Sequence, residues 1–209
     1  MKNITTYLSL ILLVLTSACS TSNKIAIPVS KQLPTTQDNY TIAWLGNSQA
    51  YRYVEGKYRR DASYDYTFSV IQRRYGNTWK SVKDMHRIHP DYDGKAGNRD
   101  QTMFFGIDFQ QNTQGISSAI QSSLGKGSGK SDKEFRKQSF VLKFDNISSF
   151  APYNTMRITQ SYQYEKGLLL ETVELYKVKD GKEVPFMKME EKAEIFRPAR
   201  LEQAPTTFK

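Results

Sequence analysis

The chain has few residues of the kinds that carry enzymatic chemistry. It contains one cysteine, Cys19, and two histidines, His86 and His89, among 209 residues. Serines are plentiful, but none lies in the GxSxG elbow of serine hydrolases, and no pair of carboxylates stands out for glycoside hydrolysis. The sequence therefore indicates a protein that is not an enzyme. A hydrolase that uses the histidine segment or an unrecognised carboxylate pair is an alternative.

Long apolar runs are also lacking. The most apolar stretch covers only residues 8–15, whereas a membrane-spanning helix needs about twenty such residues. Lys2 precedes this stretch and small residues follow it, which is the pattern of a signal peptide. We expect residues 1–18 to direct export and then to be removed.

The residues around the expected cleavage site carry a family resemblance. The sequence from Leu15 to Cys19 resembles the cleavage site of bacterial lipoprotein precursors. The resemblance implies that the Cys19 thiol is acylated, with chains such as palmitate, which removes a lone thiol from an oxidising compartment and anchors the protein. In lipoproteins of this kind, an aspartate after the acylated cysteine retains the protein on the inner membrane. This chain has Ser20 at that position, so the resemblance implies an outer-membrane lipoprotein that faces the periplasm.

Four segments follow from these patterns. Residues 1–18 are the signal peptide, and residues 19–38, with Pro28 and Pro34 and no periodicity, are the acylated N-terminus and a flexible tether. Residues 39–200 form a single mainly-β domain, and residues 201–209 form a C-terminal tail.

The domain shows strand periodicity and hairpin turns. Tyr64, Tyr66, Phe68 and Val70 alternate with polar residues, and the Asp180–Gly181 pair is typical of a two-residue hairpin. Apolar residues spaced as in a helix predict one short helix at 115–124, and the glycine-rich segment 125–134 predicts a flexible loop. The fold class is therefore mainly β with one short helix: an antiparallel meander that forms a curved sheet, an open or closed barrel, or a sandwich.

Positive charge is concentrated in the first part of the chain. The formal net charge is +9, and residues 24–143 contain 19 lysines and arginines against 11 aspartates and glutamates. Such a surface can attract lipid phosphates, lipopolysaccharide or another acidic envelope component. We expect anionic contacts at four arginines: Arg59, Arg60, Arg73 and Arg74. The alternative is that these charges only keep the domain soluble. Nucleic acid is not an expected partner, because the protein is expected to be exported.

Two segments resemble ligand-binding motifs in part. His86, His89, Asp91, Asp93 and Asp100 offer nitrogen and oxygen ligands to a metal. The two histidines are three residues apart at an expected strand end, so their side chains point to opposite faces, and a polar loop is the favoured interpretation. The segment Gly125–Ser131 resembles a phosphate-binding loop, but Leu124 stands where that motif needs glycine. No metal or cofactor is predicted.

The leading hypothesis is thus a non-enzymatic binding or scaffolding lipoprotein whose partner is an acidic envelope component or an envelope protein. An alternative is a carrier of a lipid or acyl chain, in which the 115–124 helix covers an apolar groove. The sequence does not specify the oligomeric state.

Overall fold

The computed structural model describes residues 40–113, 115–145 and 153–201. These residues are mainly β-strands, with two single-turn 3-10 helices at Ala62–Tyr64 and Tyr164–Lys166. The strands are β1 (Tyr40–Val54), β2 (Lys57–Arg60), β3 (Tyr66–Tyr75), β4 (Thr78–Arg87), β5 (Asp100–Asn112), β6 (Gly115–Ser122), β7 (Gly125–Ser131), β8 (Lys137–Phe144), β9 (Thr155–Gln163), β10 (Leu168–Lys179) and β11 (Lys182–Leu201). The predicted mainly-β class is confirmed.

The strands form an antiparallel meander that closes on itself. Each strand from β3 to β10 pairs with the next in sequence, and β1 pairs with β3 along one edge and with β11 along the other. The β1–β11 register runs from Trp44 opposite Ile195 to Arg52 opposite Met187. The result is a closed ten-stranded barrel, and the short β2 continues the wall beyond β3. Closure leaves these ten strands without a free edge.

Aromatic side chains close one end of the barrel, where β1 begins. The ring of Trp79 meets the rings of Phe109 and Tyr162 edge-on, with centroids 5.1 and 5.9 Å apart. Phe135 and the buried guanidinium of Arg74 complete this plug, with the guanidinium carbon 4.2 Å from the centre of the Phe135 ring. The alternation of the strands directs Arg74, Trp79, Phe109 and Tyr162 inward, and Phe135 reaches the lumen from the turn between β7 and β8.

The loop between β4 and β5, residues 88–99, covers the opposite end. Arg87 holds this loop by donating hydrogen bonds to the carbonyl oxygens of Ala96 and Asn98, at 2.5 and 2.6 Å. Tyr92 packs edge-on against Tyr64, with 5.5 Å between ring centres. Both ends of the lumen are therefore occupied by side chains.

The Asp180–Gly181 hairpin is confirmed. Both residues have positive φ, 52° and 74°, as a two-residue turn between twisted strands requires. The turn sets Lys179 opposite Lys182 and starts the long pairing of β10 with β11.

The predicted helix at 115–124 is wrong. Residues 115–122 of this segment form strand β6, which pairs with both β5 and β7. Ile116, Ala119, Ile120 and Leu124 have helical spacing. Ala119 faces outward in β6, whereas Ile116, Ile120 and Leu124 are even-numbered and therefore also fit a period of two. Ser118 lies between them on the same buried face. The period-two pattern is realised because the neighbouring strands supply the backbone hydrogen bonds.

The predicted flexible loop at 125–134 is wrong over most of its length. Residues 125–131 are strand β7, with Lys126, Ser128 and Lys130 outside and the alternating glycines inside. A Cβ atom on Gly127 would lie 2.0 Å from the carbonyl oxygen of Val141. The glycines thus allow a close approach of β7 to β8, and this segment is a wall of the barrel.

Replacing Gly127 with alanine tests this close approach. Because the added methyl group meets backbone atoms that cannot rotate away, we expect Gly127→Ala to lower the free energy of unfolding by about 1–3 kcal/mol or more. Gly106→Ala is the matched control, since its Cβ would meet no atom closer than 3.8 Å. Urea unfolding measures both variants, and equal stabilities would contradict the account.

Candidate functional sites

A cluster of ionisable groups lies inside the barrel. The ammonium group of Lys83, on β4, is 2.9 Å from Oε1 of Glu171 and 2.7 Å from Oε1 of Glu191. The two glutamates are directly opposite one another on β10 and β11, so one lysine bridges the lumen to both. The hydroxyl group of Tyr66 donates to Glu191, and the amide of Gln160 donates to Glu171.

Burial and charge act in opposite directions on this cluster. Burial alone would lower the pKa of Lys83, but the two carboxylates outweigh it and hold that pKa above its usual value. Burial would likewise raise the pKa of Glu171, and Lys83 overrides it, so that the pKa of Glu171 is lowered. Burial, with repulsion from Glu171, raises the pKa of Glu191 to about 7 despite Lys83. One ammonium group cannot fully compensate two buried carboxylates.

The space beside this cluster is small. A cavity of about 90 Å³ lies in the lumen, lined mainly by apolar side chains such as Phe105, Met103 and Ile158. Ligand pockets usually measure roughly 300–1,000 Å³. The helix that the carrier hypothesis places over its groove is a barrel strand, and the cavity is smaller than an acyl chain requires, so the geometry does not favour a carrier.

Removing the lysine tests how much the cluster contributes to stability. Lys83→Met leaves two adjacent buried carboxyl groups without a cation, and breaking such a bridge costs about 3–5 kcal/mol. We expect a loss of this size in urea unfolding, and recovery when Glu171→Leu and Glu191→Leu are added. Lys130→Met, on the outer face of β7, is the control and should change stability by less than about 0.5 kcal/mol. Equal effects of the two methionine variants would contradict the assignment.

The raised pKa of Glu191 predicts a pH dependence of stability. An unfolded glutamate loses its proton near pH 4.5, whereas the folded protein holds it until about pH 7. The contribution of Glu191 to the free energy of unfolding is therefore greatest below about pH 4.5 and decreases as the pH rises to 7. We expect Glu191→Gln to remove a decline on the order of 1–3 kcal/mol across this range. Parallel stability curves of the two proteins between pH 4 and 8 would contradict the assignment.

A second group of charges lies on the outside of the barrel. Cross-strand pairing aligns one outward-facing row over β3 to β8: Arg73, Lys80, Gly106, Gln121, Lys126 and Lys143. We call the four cations in it, Arg73, Lys80, Lys126 and Lys143, the basic row. Arg73 is directly opposite Lys80, and Lys126 is directly opposite Lys143. Like charges in this position destabilise a sheet.

Carboxylates do not neutralise most of the basic row. Lys143 pairs with Glu183, but among the described residues Arg73, Lys80 and Lys126 have no carboxylate partner within 4.0 Å. The outer face of β11 differs, because Lys188 pairs with Glu190 and Lys192 pairs with Glu194 on the same strand, at 2.6 and 3.2 Å. The outward positions of β6 to β9 carry no acidic residue at all. The unpaired positive charge of the outer wall is thus found along the band from β3 to β8.

The four arginines expected to contact anions are in different environments. Arg73 is exposed and belongs to the basic row. Arg59 pairs with Glu55, and Arg60 pairs with Asp65. Arg74 is fully buried in the aromatic plug, so its side chain cannot reach an external surface. Of the four, Arg73 alone lies in a region of uncompensated charge.

The residues of the histidine segment separate into three contacts. His86 meets Asp100 across β4 and β5 on the outer wall, where both are exposed. Nδ1 of His89 accepts from the backbone N–H of Asp91. Asp93 accepts hydrogen bonds from Tyr64 and Lys95, both at 2.6 Å. These bonds lower the pKa of Asp93, and the bond from Lys95 has the larger effect.

These contacts do not bring the histidines and aspartates together into one metal site. Within the part of the chain that the structure describes, no group of three or more His, Cys, Asp or Glu side chains could hold a metal ion. His86, Asp84 and Asp100 line a wide, open depression on the outer wall, and His89 does not contribute to it. Water reaches both members of the His86–Asp100 pair, so nothing isolates them for acid–base chemistry.

Cys19 and the expected signal peptide lie outside the described residues. In the described ranges, no helix is long and apolar enough to span a membrane. Comparison with protein-family models, with curated proteins and with solved structures finds no match to this chain. The fold itself defines the class: a closed ten-stranded antiparallel barrel with a cluster of charged side chains in the lumen and a row of basic side chains on the outer wall.

Sequence reasoning missed both sites for different reasons. Lys83 occupies an inward position between Trp79 and Met85, so the period-two pattern already placed a lysine in the core. A prediction that this strand continues to residue 87 would have placed Lys83 among the inward-facing residues. The basic row depends on the register of six strands, and no single strand contains a signal for it.

Proposed function

We propose that this protein is a lipid-anchored outer-membrane protein whose barrel binds an acidic component of the envelope without catalysis. The observation that carries the proposal is the basic row, in which cations face each other across neighbouring strands and three of the four described cations have no carboxylate within 4.0 Å. An anion bound over such a row relieves the repulsion that the sheet otherwise retains.

The spacing of the basic row suits an extended partner. Lys80 and Lys126 are three strands apart, which is about 14 Å at an inter-strand distance of about 4.8 Å. Gly106 and Gln121 occupy the positions between them, so only a short or neutral side chain separates the two ends. A polymer or a surface with repeated negative charges can contact both ends at once.

The anchor places the barrel near such partners. The proposal of acylation at Cys19 rests on the lipoprotein-type cleavage site and on the absence of a second cysteine. The residues from Ser20 to Asn39 span at most about 70 Å when fully extended, at roughly 3.5 Å per residue. A barrel on this tether stays within reach of the membrane surface and of the polymers attached to it.

Neutralising two lysines of the basic row tests the proposal. We expect Lys80→Gln/Lys126→Gln to weaken binding of the full chain to polygalacturonate, a soluble acidic polysaccharide, by roughly ten- to thirtyfold. Isothermal titration calorimetry at low salt measures the affinity, and raising the ionic strength should reduce it for the unaltered protein.

The matched control removes the same charge elsewhere. Lys95→Gln/Lys192→Gln alters two exposed lysines that pair with Asp93 and Glu194. This variant should retain nearly the full affinity. Equal losses of affinity in the two double variants would show that net charge alone explains the binding. If neither variant lost affinity, the basic row would not be the binding surface.

A further inference from the structure

An exposed apolar patch adjoins the basic row. It consists of Leu45, Ile71, Val82 and Phe104, which lie on the outer faces of β1, β3, β4 and β5; Ile71 is directly opposite Val82, and Val82 is directly opposite Phe104. The side chains of Leu45, Ile71 and Phe104 are about half exposed, at 46%, 49% and 55%. Contiguous apolar exposure of this kind marks interaction surfaces.

The patch and the basic row are parallel. Ile71 is two residues from Arg73 on β3, and Val82 is two residues from Lys80 on β4. Two residues along a strand measure about 7 Å. Arg73 and Lys80 therefore lie beside Ile71 and Val82 at that distance, on the outer face of β3 and β4.

We propose that this face docks on a bilayer that contains anionic lipids, with Arg73 and Lys80 at the phosphates and the apolar patch in the upper acyl region. The inference rests on the proposed function and names its partner. A soluble acidic polymer would satisfy the cations but leave Phe104 and Ile71 in water. A lipid surface supplies both chemistries at a depth of about 5–10 Å.

Two further features favour a membrane as the occupant. The long side chains of Arg73 and Lys80 can extend toward phosphates while their stems lie along the apolar patch. On the other side of the patch, Asp84 and Asp100 face outward, so the charge of the wall changes sign and limits the contact. Tethering at Cys19 also raises the effective concentration of the barrel at the bilayer.

The test uses the acylated full chain reconstituted in vesicles, where the anchor keeps the amount of bound protein constant. Phe104→Trp adds an indole to the patch, and phospholipids brominated in their acyl chains quench it on contact. Trp44 and Trp79 are buried and contribute a constant background. We expect the added emission to fall by roughly half in vesicles with phosphatidylglycerol and to be unchanged in pure phosphatidylcholine. Val178→Trp, on the β10–β11 hairpin, is the control and should remain unquenched.

Two variants separate this inference from the proposed function. Arg73→Gln/Lys80→Gln, added to Phe104→Trp, should abolish the quenching, whereas Ile71→Ser/Phe104→Ser should leave polygalacturonate binding unchanged. Absence of quenching, with polygalacturonate binding still dependent on the basic row, would overturn membrane docking and leave the proposed function intact. Self-association through the patch without quenching would identify a second copy of the chain as the occupant and would also overturn it. Polygalacturonate binding that is independent of the basic row would remove the proposed function itself.

Discussion

The contact of Lys83 with Glu171 and Glu191 across the lumen is the interaction on which the rest of the structure depends. It connects β4 to β10 and β11, on the opposite side of the barrel, and it exists only if β1 and β11 close the sheet. A shift of one residue in any of these strands would turn a charged side chain outward and an exposed one inward. The cluster therefore penalises every register except the one observed, because any other leaves a buried charge without its partner.

The alternation of side chains along each strand, which buries the cluster, also determines which side chains face outward. Once Lys83 points inward, Lys80 and Val82 must point outward, and the pairing of β3 to β8 aligns Lys80 with Arg73 on one side and with Gly106, Gln121 and Lys126 on the other. The inner and outer sites are thus two consequences of one register. The core is compatible with many outer sequences, and the like-charge pair of Arg73 and Lys80 is the observation from which we propose a partner outside the barrel.

The strands and hairpins were predictable because their signals are local. The alternation around Phe68 and the Asp180–Gly181 turn depend on a few consecutive residues, and both predictions are confirmed. The helix at 115–124 failed because a spacing of four satisfies both periods, and the glycine-rich loop failed because strand β7 is stabilised by its neighbours and not by its own side chains. The two sites depend on distant residues: Lys83 meets partners 88 and 108 residues away. Their assembly follows from register, which hydrophobic pattern specifies only after the strand order is known.

The central claim is that the basic row and the apolar patch face an anionic surface in the envelope. Lysine acetylation by a water-soluble reagent, followed by mass spectrometry, tests it in intact envelopes against the same protein purified in detergent. The account predicts that the reactivity of Lys80 and Lys126 falls several-fold in envelopes, while that of Lys192, on the outer face of β11, stays the same. Equal reactivity of all three lysines in both states would contradict it.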